Sequence, residues 1–160
     1  MDPAADRRLG RAAIIITALV IAIVAITAVV ARRTRAELDI EIPAAWRSQS
    51  NFTLIIFGRE SCPACAASAA FHRELAAAAE ANGVRAMAAS TSSTEDPAAF
   101  AASIGVAPEH ALGASPAPKH LTTIPAIVIV TRDGKILRKT EGVLTDDAQR
   151  ALVTFVMTLR

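Results

Sequence analysis

Two cysteines, the only two in the chain, stand as Cys62-Pro63-Ala64-Cys65 shortly after the apolar run Thr53–Phe57. The run before them reads as a buried strand and the alanine-rich stretch after them as a helix. This junction constrains the fold more than any other feature. A strand must end and a helix begin within a few residues, so both thiols fall at one helix N-terminus. Thiols so spaced can close a disulfide within one helical turn and reopen it by thiolate exchange. Unpaired N–H groups and the positive end of the helix dipole favour the thiolate there.

The chain has 160 residues, enough for one ordinary domain and an appendage. Lys+Arg 17 against Asp+Glu 15 gives a formal charge of +2, and no basic cluster forms a phosphate-binding stripe. Nucleic acid is therefore not an expected partner. Aromatic content is 4% with no tyrosine, so the core must be mainly aliphatic.

Ala12–Ala31 carries no charge and is rich in Ile and Val. At 1.5 Å per residue, a helix of this length matches the roughly 30 Å hydrocarbon core of a bilayer. It lacks the short apolar region and small-residue cleavage site of a signal peptide, and it ends at Arg32-Arg33. The expectation is an uncleaved transmembrane anchor. Arg7, Arg8 and Arg11 precede it while Arg32, Arg33 and Arg35 follow it, so charge alone gives no orientation. The short N-terminal tail, and the persistence of disulfides outside the cytoplasm, favour a C-terminal domain on the extracytoplasmic, periplasmic side.

The expected organisation is a tail at 1–11, an anchor at 12–31, a linker at 32–50 and a folded domain at 51–160. Trp46, in the linker, is assigned to the edge of the folded core rather than to the membrane interface. Within the domain, strand Thr53–Phe57 leads to a helix from Pro63 that stops at Asn82-Gly83. A strand over Val84–Ala89 follows, then a short helix with Asp96 as cap and Pro97 at its first position. Val106–Thr123 shows no period. Ala126–Thr131 reads as a central strand, Asp133-Gly134 as a hairpin turn and Lys135–Thr140 as the returning strand. Thr145 caps the last helix, whose Leu152, Phe155, Val156 and Leu159 form one apolar stripe. The fold class is α/β, a mixed four- to five-stranded sheet with helices on both faces.

The C-x-x-C after the first strand, Ile124-Pro125 before the third, the Asp133-Gly134 hairpin and the closing helix together resemble the thioredoxin fold, over roughly Asn51 to Arg160. With the anchor, the stretch Thr122–Leu137 resembles the membrane-anchored bacterial thiol–disulfide proteins of the TlpA/ResA type. Members of that family work outside the cytoplasm, commonly reducing disulfides in clients such as apocytochromes c. The resemblance implies that Cys62 is the exposed nucleophile and Cys65 the buried resolving thiol, with Pro63 and Ala64 tuning the pair. It implies a cis Ile124-Pro125 bond packed against the cysteines, the Ile124 backbone pairing with an extended client segment. It implies no organic cofactor, protein clients carrying disulfides or thiols, and a redox partner in the membrane.

The chain departs from that family at several positions. Ile56 stands where thioredoxins bury an acid, and Ser61 where a tryptophan precedes the first cysteine. Ala66 replaces a common basic residue, and Ser68 the glutamate frequent in the TlpA/ResA helix. No proton acceptor for Cys65 is identified, since Glu60 reads as a solvated loop carboxylate.

Two other functions fit these residues less well. A copper- or zinc-binding protein would use Cys62 and Cys65 with His72, His110 or His120, but their spacing is not that of a metal site. A peroxide-reducing enzyme would need a threonine three residues before its cysteine, and Arg59 stands there.

Overall fold

Phe52–Gly58 forms β1, an almost wholly apolar strand whose residues from Thr53 to Phe57 are buried. A computed structural model describes residues 20–27, 49–113 and 121–159. After β1 the order is α1 (Pro63–Ala67), α2 (Ala69–Ala81), β2 (Arg85–Ser90), α3 (Pro97–Ser103), a 3-10 turn (Pro108–His110) and β3 (Ala111–Leu112). β4 (Ala126–Thr131), β5 (Ile136–Glu141) and α4 (Asp146–Met157) complete the domain.

The sheet order is β3-β2-β1-β4-β5. β1 pairs parallel with β2 and antiparallel with β4, and β4 with β5 forms the hairpin read from Asp133-Gly134. Phe57 stands opposite Ala126, so Pro125 reaches the level of Gly58 at the edge where β1 ends. The turn leading to Cys62 starts from that same edge.

Local chemistry explains the elements. Asp96 accepts a hydrogen bond from the Ala98 amide at 2.9 Å, and Thr145 does the same for the Ala148 amide at 3.4 Å, so both expected caps form. Gly83 takes φ +74° and Val84 N–H returns to the Ala79 carbonyl, closing α2 with the left-handed turn that glycine permits. In α4 the buried Leu152 and Val156 each contribute roughly 1.5–3 kcal/mol of burial free energy.

Three features differ from the sequence reading. The helix expected to run from Pro63 to Asn82 is divided at Ser68, whose N–H is shared between the Ala64 and Cys65 carbonyls at 3.2 Å each. That three-centre bond tightens the turn just past the cysteines. β3 lies within the stretch where no period was read; two residues are too few to carry one. Among the described residues, helices pack on one face only, with Leu54, Ile56, Ile127 and Ile129 against Leu75, Phe100, Leu152 and Val156. The other face, Ile55, Phe57, Val128 and Val130, is also buried, joined by Leu112 and Leu121 with no described helix.

The chain divides into units Met1–Glu37 and Leu38–Arg160. In the first, residues 20–27 are helical, with Thr27 Oγ1 donating to the Ile23 and Val24 carbonyls. Among the described residues no helix is long and apolar enough to cross a membrane. The tail, most of the Ala12–Ala31 run and Trp46 lie outside the described residues.

Candidate redox site

Cys62 is the N-cap of α1, with an extended backbone at φ −88° and ψ 113°. Its Sγ accepts a hydrogen bond from the Cys65 N–H at 3.3 Å. A thiol in place of the usual cap oxygen therefore receives one of the orphan amides of the helix start. Pro63 occupies the first helical position, where a missing N–H costs nothing. Both thiols are free, held together by the turn they share.

The two cysteines differ less in exposure than the resemblance implied. Cys62 is 6% exposed and Cys65 3%, so the expected surface nucleophile lies just under the surface, although Ser61 and Pro63 on either side are exposed. The reason is local: an N-cap side chain that bonds back to the third amide of its own helix turns inward rather than out to solvent.

Burial, and next the hydrogen bond with Cys62, push the Cys65 thiol up to about 12, against the opposing pull of the Arg59 amide. Cys65 is thus a protonated thiol at neutral pH, lining a cleft of about 420 Å³ bordered by Arg59, Arg73 and Phe100. Gly58 makes this packing possible. A methyl there would stand 2.6 Å from Phe100 Cζ and 3.1 Å from Cys65 Sγ.

The turn delivering Cys62 is closed by its N–H donating to the Arg59 carbonyl at 3.2 Å. The two amides inside that turn, of Glu60 and Ser61, both donate to the Glu95 carboxylate, at 2.7 and 3.1 Å. The Ser61 hydroxyl foremost, with those amides, holds the Glu95 carboxyl below its ordinary range. Sequence reasoning passed over Glu95, which stands 34 residues from Ser61; the only local sign was an acid beside the capping Asp96. Glu60, the nearer acid, is exposed and takes part through its amide rather than its carboxylate.

At the neighbouring strand start, the Ile124-Pro125 peptide is cis and Pro125 is buried. The Pro125 carbonyl accepts from the Gly142 N–H at 2.8 Å. Ala64, between the cysteines, is half-buried.

Of the described histidines, neither His72 nor His110 gathers with the cysteines. His72 is 1% exposed within α2, its ring 5.7 Å from that of Phe71, and burial pulls it down to about 4. His110 meets Arg85 Nη1 through Nε2 at 2.5 Å, and His120 lies outside the described residues. Among the described residues no three metal-ligating side chains gather. Ser68 Oγ and His72 Nδ1 are buried with no hydrogen-bond partner among the described residues.

No family model and no curated protein matches the chain. Solved structures do. A Chlorobium tepidum protein bearing the name thiol:disulfide interchange protein DsbE aligns over 68% of this chain and 81% of its own, at TM-score 0.51 and 19% identity. A Bacteroides thetaiotaomicron structure named as a protein disulfide isomerase aligns over 71% and 74%, at TM-score 0.52 and 20% identity. At these identities the likeness is one of fold, and the fold is thioredoxin-like.

Proposed function

We propose that this chain is a membrane-tethered thiol–disulfide oxidoreductase of the TlpA/ResA kind, reducing protein disulfides on the extracytoplasmic side. One observation carries the reading: Cys62 caps α1 and takes the Cys65 amide on its sulfur, while Cys65 waits one turn in as a protonated thiol. The thioredoxin-like fold supports it. The uncharged run Ala12–Ala31 supports the tether.

In the proposed cycle, the Cys62 thiolate attacks one sulfur of a client disulfide. The client S–S bond breaks, its second sulfur leaves as a thiolate that takes a proton from solvent, and a Cys62–client mixed disulfide forms. Cys65 then gives up its proton and attacks Cys62 Sγ. The Cys62–Cys65 bond forms and the remaining client sulfur departs as a thiol. Two electrons pass from the dithiol to the client. A membrane partner supplies two electrons to reopen Cys62–Cys65, and no organic cofactor takes part. The reducing direction is the one the TlpA/ResA resemblance implies; run backward, the same steps oxidise a client.

The test is capture of a client. Cys65→Ala accumulates a mixed disulfide on Cys62, Cys62→Ala accumulates none, and both lose turnover of a protein disulfide. Turnover surviving in Cys62→Ala would end the assignment.

A further inference from the structure

The segment that reaches the cis proline, residues 121–125, belongs to no strand or helix. Its amides therefore have no ladder to pair with. Instead Glu141, the last residue of β5, receives them. One carboxylate oxygen, Oε2, accepts from Thr122 N–H at 3.0 Å, Thr122 Oγ1 at 2.8 Å and Thr123 N–H at 3.0 Å. The other, Oε1, pairs with Lys139 Nζ at 2.6 Å. The next residue, Gly142, donates to the Pro125 carbonyl. The end of β5 thus grips the chain on both sides of Ile124, whose own backbone N–H and C=O have no partner among the described residues.

We infer that Glu141 is the positioning residue for client docking: its clasp on Thr122 and Thr123 holds the Ile124 backbone open as an edge for an extended client segment. The inference rests on the proposed redox function and adds to it the residue that sets client affinity. Hydrogen bonds to a carboxylate are among the stronger ones in water. Among the described residues no other side chain holds these amides, and without the clasp a client must order the segment on binding. Partial burial acts to raise the Glu141 carboxyl, but Lys139 and Thr122 together outweigh it and pull it down to about 2. The clasp accordingly stays charged throughout the neutral range.

The experiment compares two disulfides on the detergent-solubilised full chain with a chemical dithiol as reductant. Insulin presents a protein disulfide that needs a docked strand; an aromatic small-molecule disulfide does not. Glu141→Gln is expected to lower kcat/KM for insulin about tenfold through KM, while the small disulfide changes less than twofold. Lys139→Met, which removes the ion pair and leaves the clasp, is expected to keep the wild-type ratio. Should Glu141→Gln not fold, Glu141→Asp, one methylene shorter, is expected to shift the ratio in the same direction. Equal loss on both disulfides, no loss on insulin, or the same loss in Lys139→Met would overturn the inference. A wild-type chain that reduces neither disulfide would overturn the redox function itself, and this inference with it.

Discussion

At the edge of the sheet, where β1 ends and Pro125 leads into β4, two carboxylates hold the loops: Glu95 the Cys62 turn and Glu141 the Thr122–Thr123 segment. At Ser68, between α1 and α2, and at His72 within α2, the buried Ser68 Oγ and His72 Nδ1 have no hydrogen-bond partner among the described residues. The contrast separates two kinds of requirement. The edge needs fixed geometry on loops without regular structure, and charged acceptors supply it. The interior needs only volume, and the helix backbone is satisfied without its side chains. Unpaired polar atoms there cost stability without loosening the site.

The first way to break this contrast is at Cys62. Cys62→Ala removes the cap sulfur and is expected to abolish disulfide turnover while leaving the melting temperature within a few degrees. That would separate chemistry at the edge from stability inside.

His72 comes next. Its folded form resists protonation down to about 4, whereas the unfolded chain takes up a proton near the ordinary value of 6.5. The sign follows: as pH falls below 6.5 the unfolded state binds the proton first, so stability drops and levels off below about 4. His72→Leu should remove a loss of about 3 kcal/mol between pH 7 and pH 4. Denaturant unfolding at both pH values checks it. Equal pH dependence in the variant would place the acid sensitivity elsewhere.

Gly58 joins the two regions. Gly58→Ala forces Phe100 and Cys65 to move, and is expected to cost about 1–3 kcal/mol of stability. It should also alter Cys65 reactivity, which thiol alkylation reports. The smallest effect is expected from Ser68→Ala. Removing an unpaired buried hydroxyl should leave stability unchanged or raise it by about 1 kcal/mol.

The features legible in the sequence were those with short-range signals. Asp96 and Thr145 announce helix starts, Gly83 a helix end, Asp133-Gly134 a hairpin, and Pro63 the helix that begins beside Cys62. The break at Ser68 was hidden because alanine on both sides carries no stop signal. The clasps were hidden for another reason. Glu95 and Glu141 act on residues 34 and 18 or more positions away, and only the sheet register brings them there. The inward turn of Cys62 depends on its bond to the Cys65 amide, which residue spacing alone does not specify.

The claim on which the rest depends is that Cys62 and Cys65 form one reversible, unequal pair. It is tested most directly by equilibrating the full chain across thiol–disulfide buffers, then alkylating at pH 8 and mapping the label by mass. At that pH a thiol titrating near 12 is ionised to only about one part in ten thousand. The account predicts a single transition between an unlabelled Cys62–Cys65 disulfide and a dithiol labelled first on Cys62. Two thiols labelled equally at every poise, with no disulfide at any, would contradict it.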